Sequence, residues 1–390
     1  MRPISSITLG AARPCLGLAL LTLTLGQLTT FGQTIPNPSF ESDTFTVFPG
    51  YISVNAPITG WTAEPEDRVG LNPADTSPFA DNGTIPDGNN VAFLQWSDFG
   101  TVLSTTISGL TAGRTYKISF RENARNGQVP HLIVSVSSVD LLTMATYSAG
   151  GANAYWHVAC EFTASAASET LTLLNTAGED NTVLVDDFQI APSTGSWTAA
   201  AWTSDWDSGV DPSYFYTHAY NFGSSANTTI NEVEFTGVGG ANPSVEGRFS
   251  TVNFGNAYAD LDPNLLSGAT DGSATLAANF IYGGTISAGN YQGIAISGLT
   301  PGTEYVATLF TVAWEDPDLA NRWATFSMGD DHLTVNQDQF YNDNGQTISH
   351  RYTADDTGSA TIKIVPINPN NMSIHIYGFC NREAVSSLVK

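Results

Sequence analysis

Basic residues are scarce in this sequence: 13 Lys and Arg stand against 37 Asp and Glu over 390 residues, a formal charge of −24. Such a surface repels polyanions, which excludes nucleic acid as a partner. Cysteine is nearly missing, with three in the whole chain, Cys15, Cys160 and Cys380. That excludes a disulfide-built scaffold; Cys160 and Cys380 are expected as buried free thiols, with an interdomain bridge between them as the alternative. Charged residues of both signs make up only 13%, too few for the polar faces of many exposed helices. Catalytic motifs are absent as well. There is no Gly-x-Ser-x-Gly, no phosphate-cradling glycine loop and no His-Glu-x-x-His, and the six His form no i, i+4 pair. A glycosidase carboxylate pair leaves no linear signature, but the chain carries little length beyond its cores for added catalytic parts. The expectation is a chain without a catalytic site.

What is present is β-rich. Gly, Thr, Ser and Asn are abundant, aromatics reach 11% and apolar residues 42%, enough for packed cores joined by many turns. The first 32 residues read as a signal peptide. Arg2 and Arg13 precede the short apolar run Leu16–Leu25, and small residues Thr30 and Gly32 place the cut near Gln33. The run is too short for a spanning helix, and Cys15 lies ahead of it, where no lipid anchor belongs. A secreted or cell-surface protein is expected, with no membrane insertion once the signal is removed.

The organising stretch occurs twice. Ile107-Ser108-Gly109-Leu110-Thr111-Ala112-Gly113-Arg114-Thr115-Tyr116 returns as Ile296-Ser297-Gly298-Leu299-Thr300-Pro301-Gly302-Thr303-Glu304-Tyr305. Each copy leads into an alternating run with strand period. The Gly-rich segment supplies a turn, and a Tyr just past it buries its ring while its hydroxyl bonds back to the turn's backbone. Phe162-Thr163-Ala164 is answered by Tyr352-Thr353-Ala354. Val183–Phe188 is answered by Ser373–Phe379, and Val91–Gln95 by Ala278–Tyr282. Four landmarks in one order predict two related domains. Their bounds are 33–191 and 198–383, with a polar linker at 192–197 and a tail at 384–390. About eight strands are expected in the first domain, beginning with a short strand Ile35–Glu41. Fibronectin type III sandwiches share the tyrosine corner, but only two strands follow theirs. Three or four follow Tyr116, so a jelly roll fits better: an all-β chain of two tandem β-sandwiches.

The first domain resembles the galactose-binding-like jelly rolls, especially those of plant cell-wall proteins and the family 4/9 carbohydrate-binding modules. The residues that carry the likeness are Asn37–Glu41, Gly60-Trp61, Pro86–Gly88 with Val91–Gln95, the tyrosine-corner turn and Leu184–Phe188. The resemblance implies a non-catalytic binding role and a structural calcium. It places that ion on Glu41 and Asp187, with Asp186 as substitute, a hard-oxygen set suited to Ca²⁺. The second domain resembles a jelly-roll module of exported planctomycete and verrucomicrobial proteins, which implies no activity.

Sugar binding needs exposed aromatic faces with planar polar groups around them. In the first domain the candidates are Trp96 and Phe99 with Gln95 beside them, and the polar face of the corner strand, Arg121, Asn123 and Arg125. Trp61 and Trp156 alternate with core residues and read as packing. In the second domain Trp314, Arg322 and Trp323 form a possible stacking set or a stabilising cation–π pair. Asp205–Asp211 resembles a calcium loop but lacks the closing Glu, and a turn is the simpler reading. Two functions stand open. One is recognition of a polysaccharide or other neutral glycan. The other is a structural or adhesive role that binds cell-surface protein neighbours and has no sugar site.

Overall fold

The computed structural model describes residues 32–44, 57–74, 76, 77, 79, 82–259, 266, 269–283, 290–312, 322–340, 344–367 and 373–385. The proposed signal peptide and Trp314 lie outside them. The chain is nearly all β and forms two sandwiches. Ten strands build the first: β1 Trp61–Glu64, β2 Val69–Pro73, β3 Asn90–Leu94, β4 Thr101–Ser108, β5 Thr115–Ala124, β6 His131–Val136, β7 Val139–Ala145, β8 Trp156–Thr163, β9 Ser168–Asn175 and β10 Val183–Pro192. They stack as two sheets, β1-β4-β9-β6-β7 over β2-β3-β10-β5-β8.

The second sandwich continues with β11 Trp197–Trp202, β12 Tyr216–Phe222, β13 Thr228–Ile230, β14 Val233–Val238, β15 Ser244–Val245, β16 Phe249–Val252, β17 Asn256–Tyr258 and β18 Phe280–Tyr282. It is completed by β19 Gln292–Ile296, β20 Glu304–Val312, β21 Trp323–Met328, β22 Asp331–Asn336, β23 Gly345–Thr353, β24 Ala360–Pro366 and β25 Gly378–Glu383. A seven-stranded sheet, β11-β23-β20-β25-β12-β14-β13, faces a six-stranded one, β15-β16-β19-β24-β21-β22, and β17 pairs with β18. Among the described residues the one α-helix is the short α1, Gly272–Ala277, capped by the Asp271 side chain, and no helix is long and apolar enough to cross a membrane.

The repeated turn builds the same structure twice. Tyr116 Oη accepts from Thr111 N at 2.8 Å and Tyr305 Oη from Thr300 N at 3.0 Å. Gly113 N donates to Ala164 O and Gly302 N to Ala354 O, with both glycines at positive φ, where a side chain would strain the turn. Tyr116 sits opposite Phe162 and Tyr305 opposite Tyr352, so each corner tyrosine meets an aromatic partner across the ladder. The corner strand lies between the closing strand and the next one in both sheets, β10-β5-β8 and β25-β20-β23. Replacing Tyr305 by Phe leaves Thr300 N without its acceptor beside a fully packed ring, and urea denaturation should show a loss of about 1–2 kcal/mol. A loss within error would mean that water takes over the bond.

The opening segment departs from the expected strand. Thr34 makes an isolated bridge to Ser108 and the chain then turns. Asn37 and Phe40 take left-handed φ of 42° and 60°. Asn37 Oδ1 accepts from Ser42 N at 3.0 Å, and this local side-chain bond competes with a ladder. The turn drops Phe40 into the core with Trp61, Phe120 and Phe188. Strand β3 is buried on both faces. Ala92 and Leu94 join the main core, while Val91 and Phe93 join a satellite cluster with Phe79, Tyr155 and Leu184. Cys160 and Cys380 are free, buried thiols, each pushed up to about 12 by burial.

The two sandwiches belong to one unit, Gln33–Lys390. Trp323 and Ile367 of the second pack into the core of the first. Lys117 reaches Asp331 across the seam, and the His157 and His332 rings meet with centroids 4.1 Å apart.

Candidate functional site

The most exposed large apolar side chain among the described residues is Phe99, at 99%. It stands on a tight turn after β3. Gly100 N donates to Ser97 O at 3.1 Å, and Ser97 Oγ donates back to Gly100 O. Gly100 takes a φ of 84° and lies against Leu174, where a Cβ would come within 2.8 Å of Cδ1; a glycine lets the turn sit that close. The ring is thus held in water by a fixed backbone. Half-buried Trp96 precedes it, and between Phe99, Trp96 and the segment Glu64–Arg68 lies a depression of about 540 Å³.

Pairing brings that second wall into place. Trp61–Glu64 run along β4, and Val69 pairs with Leu94, so the crossing between sheets, a 3-10 turn at Glu66–Arg68, must pass the base of the Trp96 loop. Gln95 N donates to Arg68 O at 2.8 Å and locks the two together. The site therefore offers two aromatic rings, one guanidinium (Arg68) and three carboxylates (Glu64, Asp67 and Asp98). Rings stack on the C–H faces of a pyranose, and planar charged groups hydrogen-bond its hydroxyls. Sequence reasoning named Trp96 and Phe99 but missed Glu64, Asp67 and Arg68, which no linear motif marks.

The other sequence candidates fall elsewhere. Gln95 is buried at the end of β3. Arg121 and Asn123 do share one face of β5, with Arg125 just past its end, but each is occupied. Arg121 lies 3.9 Å from Asp187, and burial holds its guanidinium below the usual arginine range. Asn123 is fully buried, donating to Asn82 O and accepting from Ala149 N at 2.7 Å. Arg125 pairs with Asp180 at 2.8 Å and covers the Phe79 ring. In the second sandwich Arg322 is buried and donates to Ser373 O at 2.8 Å, while Trp323 is 9% exposed, inside the seam. The Asp205–Asp207 segment is a 3-10 turn whose acids cap backbone N–H groups: Asp207 accepts from Thr203 and Ser204, and Asp205 from Ser273.

The cation candidates converge only in part. Glu41 Oε1 accepts from Asn89 N at 2.8 Å and Asn90 N at 2.6 Å. Asp186 Oδ2 accepts from Asp87 N at 3.1 Å, so both carboxylates hold the Asp87–Asn90 loop. Asp187 turns away, toward Arg121 and Gln189 Nε2. Asp186 is fully buried and its Oδ1 has no hydrogen-bond partner. Burial, with smaller contributions from the charges of Asp187 and Asp87, pushes its carboxyl up to about 8. An orphaned buried carboxylate oxygen beside a second acid fits a hard cation. No set of three or more His, Cys, Asp or Glu among the described residues is arranged around one point, so a cation here would need backbone carbonyls or water as well.

Comparison with known proteins gives the following. A family model described as HpiC1-like, HpiC1 cyclase, matches residues 32–168, and no curated protein matches the sequence. Among solved structures, the carbohydrate-binding module TmCBM61 in complex with β-1,4-galactotriose is 17% identical, covering 40% of this chain and 96% of its own at a TM-score of 0.27. The tandem CBM22-1–CBM22-2 domain of Paenibacillus barcinonensis Xyn10C is 11% identical over 85% of this chain and 95% of its own, with a TM-score of 0.27. The ANXUR2 extracellular domain from Arabidopsis thaliana is 8% identical, covers 82% of this chain and 89% of its own, and has a TM-score of 0.35.

Proposed function

We propose that this chain is an exported, non-catalytic glycan-binding protein that holds a neutral saccharide against Trp96 and Phe99. The observation that carries the reading is a phenylalanine 99% exposed on a turn fixed by its own hydrogen bonds, next to a tryptophan and four charged side chains in one depression. A ring held in water on a rigid turn can meet a ligand without first being ordered. Three acids beside one arginine favour neutral sugars over acidic ones. Calcium held by Glu41 and Asp186 would neutralise the buried acid and brace the loop that follows Asp87; Asp187 is the poorer ligand, being turned to Arg121.

The name of the matching family model raises a catalytic reading. Among the described residues the two carboxyls that burial pushes up to about 8 are Glu122 and Asp186. Both are fully buried and neither lines the Trp96 depression.

The test is a broad glycan array probed with the purified chain, with calcium and with chelator. Selective binding is expected, and Trp96→Ala should weaken it at least tenfold without lowering the melting temperature. Silence across the array would overturn the glycan reading in favour of an adhesive role with protein neighbours, for which Phe99 and the 93% exposed Trp206 are the available contacts.

A further inference from the structure

Four sheets meet at the seam, each through a terminal strand: β7 and β8 from the first sandwich, β11 and β22 from the second. A terminal strand carries a row of unpaired N–H and C=O groups that must be covered or left open to another chain. The edge of β8 is covered without a ladder. Ala159 N donates to Thr334 Oγ1 at 2.8 Å, and Thr325 Oγ1 donates to His157 O. Beside this closed stretch the seam opens into a cleft of about 1080 Å³.

The walls of this cleft are runs of neighbouring residues: Asp140 to Thr143 of β7, Trp197 to Ala199 of β11 and Leu333 to Asn336 of β22. Consecutive side chains on a strand point to opposite faces, so a cavity touching every residue of such a run lies along the strand's edge. Among the described residues β7 pairs with β6 alone, β11 with β23 alone and β22 with β21 alone. Three unpaired edges therefore border one trough. Among the described residues its charged lining side chains are Asp140, Glu161 and Asp338; Glu161 is paired with Lys117 at 3.5 Å and Asp338 is buried, which leaves Asp140 as the exposed charge. The indole N–H groups of Trp197 and Trp323, which also line it, have no acceptor among the described residues.

We propose that this cleft takes an extended polypeptide segment, which adds as a strand to the free edge of β7 and presents a lysine or arginine to Asp140. Main-chain hydrogen bonds to an open edge supply affinity in strand addition, and side-chain positions supply selectivity. Four residues of β7 span roughly 13 Å of edge, room for about four residues of a partner strand. The acidic lining selects a cationic residue in that strand, and the cleft's carbonyl and N–H rows ask for the alternating donors and acceptors that a peptide backbone has.

The probe is a phage-displayed library of random 12-residue peptides panned against the full chain, with the Asp140→Lys protein panned in parallel. Asp140 is exposed, so the variant should fold, and an unchanged melting temperature checks this. Enrichment of sequences with β-branched alternation around a basic residue is expected. The best of them, made synthetically, should bind Asp140→Lys at least tenfold more weakly and, on the wild-type chain, slow hydrogen exchange at the amides of residues 140–143 that face the open edge. No enrichment over the variant, or protection confined to other strands, overturns the inference. So does slowing of the same amides by cellohexaose with no peptide enriched, which would make the cleft a saccharide site. The inference stands apart from the glycan reading, since it uses different residues and survives a silent array.

Discussion

In chelator, the melting temperature of the purified chain should pass through a maximum near pH 6 and fall on both sides. The alkaline limb comes from Glu122 and Asp186. Glu122 continues the inward face of β5 beyond Tyr116, Ile118 and Phe120. Its Oε2 accepts from Thr146 Oγ1 at 3.1 Å, while Oε1 has no partner. Burial pushes it up to about 8 from an ordinary 4.5, as it pushes Asp186 up to about 8 from 3.8. Between roughly pH 4 and 8 the folded chain keeps protons that the unfolded chain has lost, so unfolding releases protons and stability falls as pH rises. Each such group changes stability by at most about 1.4 kcal/mol per pH unit inside that window.

The acid limb has the opposite sign. His131, His157, His218, His332, His350 and His375 are all held below the ordinary 6.5, chiefly by burial. His157 falls to about 3, with Arg121 and His332 adding repulsion, and His350 falls to about 4. Their neutral forms are fully present above pH 6.5, and stability is lost as pH falls below it, because the unfolded chain then binds more protons. The histidines outweigh the two carboxyls below pH 6.5; above it the carboxyls act first, joined near pH 8 by the Cys160 and Cys380 thiols, which burial also keeps protonated. Two changes dissect the alkaline limb. Glu122→Gln should flatten it and stabilise the chain at pH 8 by an amount on the order of a few kcal/mol. The calcium proposed at Glu41 and Asp186 would, on saturation, remove the Asp186 share by holding that carboxylate ionised. Thermal melts from pH 4.5 to 8.5 decide the matter: a melting temperature that rises steadily through pH 8, or a Glu122→Gln protein with an unchanged alkaline slope, would contradict it.

Phe188→Ala should cost about 4 kcal/mol. The ring is 3% exposed. It stacks on Phe120 at 5.1 Å and 13°, and meets Trp61 at 5.2 Å and Phe40 at 6.1 Å. These partners come from β5, β1 and the opening turn, so the truncation opens a cavity where three separate elements converge. They cannot close on it together, since Phe188 N is tied to Pro38 O at 3.0 Å and Trp61 Nε1 to Pro36 O at 2.9 Å. Urea denaturation of wild type, Phe188→Leu and Phe188→Ala should give losses in that order. A Phe188→Ala loss below about 1 kcal/mol would show that the site collapses freely.

Phe188 also marks where sequence reading succeeds and where it stops. Its place in a closing strand is visible from Leu184-Val185-Asp186-Asp187-Phe188. The irregularity inside that strand is not. Asp187 takes a φ of 51° and the ladder to β5 shifts between Asp186 and Gln189. A bulge re-aims the side chains on either side of it. That is why Asp186 goes to the Asp87 loop and Asp187 to Arg121, a choice the alternation of residues leaves open. The same limit applies to β5. The shared face of Arg121 and Asn123, with Arg125 just past it, follows from period-2 geometry, but its covering by the loops carrying Phe79, Asn82 and Ala149 involves residues far away in the chain. At the Trp96 site, an aromatic pair in a turn-rich segment was legible, while Glu64, Asp67 and Arg68 arrive only through the pairing of β1 with β4 and β2 with β3.

Local and near-local physics determined the all-β class, the two tandem sandwiches, the repeated tyrosine corner with its hydroxyl-to-backbone bond, and the turn that displays Phe99. Each is written in alternation, glycine placement or a hydrogen bond five residues long. The tertiary structure alone decided which acid faces which loop, which polar faces are covered, and that the sandwiches meet through four terminal strands with a trough between them. Those outcomes depend on strand order and edge geometry, and neither is a property of any single stretch of sequence.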